Sequence, residues 1–355
     1  MLVLQPDGRL VVAGNCYMGG ATGWDVCLVR YNTDGSLDTS FHTDGIATTA
    51  IAPGAGEDLA HALALQDDGK LVAAGYCDMG GATARDSCLV RYNNDGSLDM
   101  SFDVDGRVTT AAAPGAANDA AHAVAVQADG RIVTAGDCSM GGATGDDYCL
   151  ARYTTIGGLD ASFDTDGRVT TDIAPGAAAD NAHSIAVQSD GKIVASGYCN
   201  IGGATGYDGC VARYDTDGSL DTTFDADGRV NVPMGPGGGA ADYPEAMALN
   251  TDGRIVIAGL CGMPVTGPDM CVAQLGPGGV VDPYAFGSKD WETDPDSGFF
   301  GMCLINDPTS DYTPSIPTHA TCPMVDGVGT YWRPVAPGPV TLGVANSLAI
   351  DAPVK

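Results

Sequence analysis

Short runs in which apolar and polar residues alternate punctuate the chain from its first residues, and they come in pairs. "HALALQ" and "KLVAAG" flank Asp68-Gly69, and the same arrangement surrounds Asp7-Gly8, Asp129-Gly130, Asp190-Gly191 and Asp252-Gly253. A period of two is that of a half-buried strand. Asp-Gly between two such runs predicts a hairpin with a type I′ turn, in which both central residues take positive φ. A third run, "CLVRY", and a fourth, "GRVTT", follow after Asn-Asp-Gly and Asp-Gly turns. Every unit therefore predicts four short strands, and no window carries a helical period.

The units repeat. The first cysteine of each pair falls at positions 16, 77, 138, 199 and 261, so the position number advances by 61 three times and then by 62. Four antiparallel strands copied in tandem at this spacing predict the blades of a β-propeller, an all-β fold that leaves only short, protected edges. A linear β-solenoid is the alternative, but its coils are usually shorter and its strands pair between repeats. The expected architecture is a propeller of about five four-stranded blades over residues 1–286. An irregular Pro-rich appendage with its own cysteine pair follows at 287–340, then a terminal strand segment at 341–355. Copy five decays, with Gln274-Leu275 where the others have Arg-Tyr, as terminal repeats do.

"DGKLVAAGYC" and "CLVRYNNDGSLDMSFDVDGRVTT", with their copies, closely resemble the bacterial delta-60 repeat, a β-propeller unit. The resemblance covers five copies over about residues 1–286. It implies a surface or exported bacterial protein and no particular reaction. The paired cysteines and the unrelated tail depart from the family pattern.

The last segment predicts assembly. "ANSLAID", from Ala345 through Asn346, Ser347, Leu348, Ala349 and Ile350 to Asp351, lines up with "AHSIAVQ" at Ala182 to Gln188, while "MLVLQPDG" opens inside a first strand. Such a strand completes a blade in cis, or adds to a neighbouring molecule and propagates a head-to-tail polymer.

Composition narrows the partners. Against 16 basic residues stand 45 acidic ones, a net charge of −29 that repels nucleic acid and anionic membrane surfaces. No apolar stretch approaches the length of a spanning helix, so membrane insertion is not expected. The 12 cysteines form strict pairs: Cys16 with Cys27, Cys77 with Cys88, Cys138 with Cys149, Cys199 with Cys210, Cys261 with Cys271, and Cys303 with Cys322. The first five enclose Gly-rich loops such as "CSMGGATGDDYC" between the second and third strands. A disulfide across each would stabilise the fold by roughly 3 kcal/mol. Even, strict pairing implies an oxidising compartment, with the extracellular space or cell surface ahead of the periplasm. A zinc reading meets the wrong spacing and no accompanying His, and without C-x-x-C-H there is no haem attachment site.

Three constellations carry candidate chemistry. His61, His122 and His183 recur at the repeat spacing, each just ahead of the first strand and shortly after Asp58, Asp119 or Asp180, with Pro244 in the corresponding place of copy five. First strands line a propeller's channel, so the three imidazoles are candidates for a metal or ligand ring; the plainer alternative is a blade-stabilising hydrogen bond. Asp215, Asp217 and Asp221 in "YDTDGSLD" are partway to an oxygen-rich calcium loop, against solvated turns as the alternative. Structural calcium is the one candidate cofactor. Arg30, Arg91, Arg152 and Arg213 should each pair with Asp38, Asp99, Asp160 or Asp221, with bidentate geometry.

No G-x-S-x-G elbow, H-E-x-x-H or phosphate loop occurs, so an enzyme is not expected. Thr22, Thr83, Thr144 and Thr205 offer equivalent loop sites for O-linked glycan. The expected function is an exported, non-enzymatic structural or interaction module. Its partner is itself in a homopolymer or filament, or another surface component as a monomeric adhesion or ligand-binding module. A carbohydrate-active enzyme is the remaining alternative.

Overall fold

The computed structural model describes residues 1–281 except for 20–22, 53–55, 81–84, 113–117, 141–144, 175–178, 203–205, 235–240 and 264–266. It is all β. The first sheet is built from β1 (Leu2–Leu4), β2 (Leu10–Gly19), β3 (Gly23–Tyr31) and β4 (Ile46–Thr49). The second runs through β5 (Asp58–Leu65), β6 (Leu71–Asp78), β7 (Arg85–Tyr92) and β8 (Arg107–Thr110). The third comprises β9 (Asp119–Val126), β10 (Ile132–Ser139), β11 (Asp146–Tyr153) and β12 (Arg168–Thr171); the fourth, β13 (Asp180–Val187), β14 (Ile193–Asn200), β15 (Tyr207–Tyr214) and β16 (Arg229–Val232). The fifth has three described strands, β17 (Tyr243–Leu249), β18 (Ile255–Met263) and β19 (Gly267–Leu275). All are antiparallel meanders in chain order, the blades of a propeller. The predicted appendage with Cys303 and Cys322, and the terminal segment 341–355, lie outside the described residues.

The turn chemistry differs from expectation at one point. In the first hairpin Gln5 N–H donates to Arg9 O and Gly8 N–H to Gln5 O, a three-residue loop repeated at Asp68-Gly69, Asp129-Gly130, Asp190-Gly191 and Asp252-Gly253. Gly8, Gly69, Gly130, Gly191 and Gly253 take φ of 83° to 87°, and the preceding aspartates do not have positive φ. The loop is therefore a tight turn closed by a glycine bulge rather than a type I′ pair. Aspartate serves it through its side chain: Asp129 Oδ1 accepts the Arg131 N–H at 3.0 Å.

Blades pack through their first strands on small residues. Between the second and third sheets the core is Ala62, Ala64, Val72, Ala74, Leu89, Ala121, Val124, Ile132 and Ala151, closed by Phe102 and Tyr153. The other joints repeat this composition. Alanine at the centre lets adjacent sheets approach, while the rings of Phe102 and Tyr153 are the largest side chains buried between the second and third.

Polar ties then fix the angle between blades. Tyr92, Tyr153 and Tyr214 each donate a hydroxyl to the previous blade, to Thr49, Thr110 and Thr171, at 2.8–2.9 Å. Arg152 Nε donates to Asp160 Oδ2 at 2.8 Å, its Nη2 to Ser162 Oγ at 3.0 Å, and its Nη1 crosses to the Thr216 carbonyl of the next blade at 2.5 Å. Arg30, Arg91 and Arg213 repeat the arrangement with Asn94, Thr155 and Pro277 carbonyls. The expected pairs form, but through one Nε bond each and not a bidentate fork. The guanidinium is also needed for the neighbouring blade, and it lies over Phe41, Phe102, Phe163 or Phe224 at 4.3–4.6 Å.

Candidate functional site

The cysteines lie within the strands. Cys138 faces Asp147 in the β10–β11 ladder while Cys149 faces Gly136, so the bond between them runs diagonally across one face of the hairpin. Five such disulfides form, joining Cys16–Cys27, Cys77–Cys88, Cys138–Cys149, Cys199–Cys210 and Cys261–Cys271, with Cα separations of 5.7–5.9 Å. They hold the far ends of the second and third strands in register where the joining loop is rich in glycine and cannot do so by packing.

Beside these ends, the innermost strands each carry a β-bulge. In β9 the pairing passes from Ala123↔Ala135 to Ala121↔Gly136, leaving His122 as the extra residue. His61 in β5 and His183 in β13 occupy the same place. The histidines thus lie inside the first strands rather than ahead of them. The bulge demands glycine on the partner strand: a Cβ on Gly136 would lie 1.8 Å from the Ala120 carbonyl oxygen, and Gly75, Gly197 and Gly259 are equally confined. In β17 the bulged residue is Glu245, not Pro244. The extra residue in the last repeat spacing shifts the correspondence by one, so copy five replaces the imidazole with a carboxylate.

The three imidazoles do not encircle a point. They stack, with ring centroids 5.0 Å apart from His61 to His122 and again to His183, and planes 9° and 11° from parallel. The ladder continues at both ends. Tyr76 meets His61 edge-on at 5.3 Å beneath the Arg85 guanidinium, and Tyr198 meets His183 at 5.2 Å and packs on Tyr207 and Tyr243. Polar contacts run along it. His61 Nδ1 and His122 Nδ1 are 2.9 Å apart, His122 Nε2 is 2.5 Å from Asp137 Oδ1, and His183 Nδ1 is 3.0 Å from Glu245 Oε2.

Burial, then the neighbouring His122, pulls the His61 imidazole down to about 4, and burial also lowers His183. Near neutral pH His61 is an uncharged donor and acceptor, and burial pushes the Tyr198 phenol up to about 12.

The expected calcium loop does not converge. Asp217 Oδ1 accepts the Ser219 backbone N–H at 3.1 Å and hydroxyl at 2.7 Å, whereas Asp215 and Asp221 share the Lys192 ammonium. Against the upward pull of burial, hydrogen bonds from Thr223, Lys192 and Arg213 hold the Asp221 carboxyl well below the usual range. Two cations already serve these acids, and turn geometry accounts for the third.

A different acid series is brought together instead. Asp58, Asp119, Asp180 and Asp242 open the innermost strands or precede them, and each accepts backbone N–H groups from the loop that enters its blade, as Asp180 does from Ile173 at 2.8 Å and Ala174 at 3.1 Å. Asp25, Asp86, Asp147, Asp208 and Asp269 face the first cysteine of each pair from the third strand. At the joint between the third and fourth blades Asp172 joins Asp147 and Asp180. Burial, then the charges of Asp172 and Asp180, pushes the Asp147 carboxyl up to about 6.

Comparing copies at one repeat position would have singled out Asp137, since Tyr76 and Tyr198 occupy its place. The same comparison marks Asp172, but not its convergence with Asp147 and Asp180, because the three come from separate strand ends brought together only by blade packing.

Four segments, residues 5–41, 66–102, 127–163 and 188–224, match the model of a family described as a domain of unknown function (DUF5122) beta-propeller. No curated protein matches the chain in sequence. Among solved structures it is similar to a prolyl oligopeptidase B from Galerina marginata, at 10% identity over 79% of this chain and 34% of that one, with a TM-score of 0.38. It is also similar to a xylan β-1,4-xylosidase from Bacillus halodurans C-125, at 14% identity over 77% and 51% with a TM-score of 0.35. A mannose phosphorylase from Leishmania mexicana matches at 10% identity over 79% and 85%, with a TM-score of 0.40. The chain spans about a third and about a half of the first two, and likeness of this degree bears on no activity. Repeat spacing, sheet order and four family matches together make the chain a repeat β-propeller protein.

Proposed function

We propose that the protein is a non-enzymatic interaction module working outside the cell or at its surface, and that it binds its partner along the imidazole and aromatic ladder. The observation that carries this reading is the continuity of that ladder over four blades. Tyr76, His61, His122, His183, Tyr198 and Tyr243 form one half-buried row flanked by Arg85, Asp137 and Glu245. Stacked rings bury one another's faces and present their edges, so the row offers donors and acceptors at a regular spacing. Such a row suits an extended polyhydroxylated chain, whose hydroxyls can both donate and accept. Five disulfides favour an oxidising location, since bonds of this kind persist there and not in a reducing cytosol.

Affinity electrophoresis through gels containing surface polysaccharides tests the reading. The wild-type protein should be retarded by at least one of them and the double variant His122→Ala/Tyr198→Ala should not. Unchanged mobility in every gel would sink it.

Homopolymer assembly is the second reading. Residues 345–351 repeat the first-strand pattern, so a strand supplied by them could add to a sheet edge of a neighbouring molecule. Filaments in electron micrographs of purified protein, lost on deleting residues 341–355, are the outcome this reading requires.

A further inference from the structure

We infer that Asp147, Asp172 and Asp180 form a binding site for one hard divalent cation, calcium, at the joint between the third and fourth blades. Asp147 lies in β11, Asp180 opens β13, and Asp172 directly follows β12. Each offers a carboxylate oxygen, and these three oxygens all lie within 4.8 Å of one another. Oxygens on opposite sides of a calcium ion, at roughly 2.3–2.6 Å from it, stand about 5 Å apart, so one ion can touch all three without rearranging the backbone. Magnesium, at roughly 2.1 Å, needs a tighter and octahedral set. A donor set made only of carboxylate oxygen does not favour zinc or copper.

A second observation is independent of the clustering. Asp147 is only 6% exposed, its Oδ1 is fully enclosed, and that oxygen accepts no hydrogen bond among the described residues. A carboxylate oxygen buried without a donor costs several kcal/mol unless a cation or proton serves it. No described Lys, Arg or His makes an ion pair with any of the three acids. The guanidinium that comes near belongs to Arg229, and it is engaged elsewhere: Nη1 donates to the backbone carbonyl of Asp172 at 2.7 Å and Nη2 pairs with Asp227 at 3.4 Å.

The comparison between blades isolates the residue that makes the site. Acids at the positions of Asp147 and Asp180 recur at the other joints, as Asp25 with Asp58, Asp86 with Asp119 and Asp208 with Asp242, where the second of each pair ties down the entering loop. The position of Asp172 is held by Ala50, Ala111 and Pro233 in the other copies. A third carboxylate beside a buried pair adds like-charge repulsion and no described hydrogen bond, so it destabilises the joint unless an ion neutralises the group. With the ion bound, Asp147 and Asp172 coordinate it from one blade. Asp180 completes the set from the next while keeping its backbone N–H donors, and the two blades are clamped.

Calorimetric titration of chelator-stripped full-length protein with CaCl2, and in parallel with MgCl2, tests this directly. The wild type should bind one calcium per chain, with magnesium weaker. Asp172→Ala, which installs the residue two other blades carry, should weaken calcium by about tenfold or more, the loss expected for one of three charged ligands. Asp217→Ala should leave it unchanged. Thermal unfolding gives a second readout, because added CaCl2 should raise the midpoint of the wild type and of Asp217→Ala but not of Asp172→Ala. If near-ultraviolet circular dichroism shows Asp172→Ala unfolded, the isosteric Asp172→Asn is read by the same criteria. No binding by the wild type, or an affinity that the Asp172 variants leave within tenfold, overturns the site. Magnesium binding tighter than calcium overturns the choice of ion.

Discussion

Arg152 is the residue through which the third blade grips the fourth, and replacing it with leucine separates two accounts of the joint. Its guanidinium is 6% exposed and its partner Asp160 9%, so the pair is buried. Removing one member of a buried ion pair typically costs about 3–5 kcal/mol, most of it from the charge left behind. Here the residual charge is not alone, because Arg131 Nε also lies 2.8 Å from Asp160 Oδ2 and is 39% exposed. The ion-pair part therefore falls to the low end, about 3 kcal/mol, and the Thr216 carbonyl loses its donor for about 1 kcal/mol more. For a domain of this size the sum corresponds to a melting shift of roughly 10 °C.

Urea unfolding of oxidised protein measures it, with Arg131→Ala as a control expected to cost about 1 kcal/mol or less because that arginine is exposed. The decisive arm is the double variant Arg152→Leu/Asp160→Asn. If the stranded carboxylate is the main cost, removing it recovers stability and the double variant is more stable than Arg152→Leu alone. A double variant as unstable as the sum of its parts would refute the reasoning and place the energy in the carbonyl bond and the ring contact.

The remaining predictions test other layers. Gly136→Ala should abolish or severely weaken folding, by about 3 kcal/mol or more, because its Cβ would overlap a carbonyl. Gly14→Ala, where a Cβ meets nothing within 4 Å, should be close to neutral, and equal effects in urea would refute the bulge account. Replacing Cys138 and Cys149 together by serine should cost roughly 3 kcal/mol, and peptide mapping without reductant should recover the five strand-to-strand pairs. The His61 imidazole, free to protonate near 6.5 when unfolded and near 4 when folded, contributes stability that is complete above pH 6.5 and is lost as pH falls toward 4. A proton-NMR titration midpoint at or above 6.5 would contradict that burial. The Asp38 carboxyl shifts in the same direction for a different reason: hydrogen bonds from Ser40, then from Arg30, hold it at about 2 against burial, so its contribution is present above about pH 4 and is lost below it, and Asp38→Asn should flatten that limb.

Much of this joint was legible from spacing alone. Arg152 and its counterparts keep the same separation from Asp160 and its counterparts in each of the first four copies, which is enough to pair them. Spacing could not show where the rest of the guanidinium goes, because Nη1 bonds a residue 64 positions later that only ring packing brings near. Nor could it settle the turn type: Asp-Gly fits both a type I′ pair and a glycine-closed three-residue loop, and the choice rests on hydrogen bonds from Gln5, Gln66 and their counterparts. The place of Glu245 was hidden by a single inserted residue. Read by counting, Pro244 stands opposite the histidines; read by pairing register, Glu245 is the bulged residue.

Repetition itself supplies the argument that separates structure from function in this chain. A residue required by the blade must recur from blade to blade, since the packing problem is the same each time: the arginines, the interblade tyrosines, the bulge glycines and the loop-capping aspartates all do. A residue that breaks the period by placing a charge against buried or half-buried groups must answer to something the other blades lack. Glu245 breaks it by placing a carboxylate at the end of an imidazole row, and Asp137 by placing one where Tyr76 and Tyr198 stand. Asp172 breaks it by adding a third charge to a buried pair. The first two find partners within the ladder, at 3.0 Å and 2.5 Å, and tune its polarity. The Asp172 carboxylate finds none among the described residues, and a cation is the simplest partner that would make its position favourable.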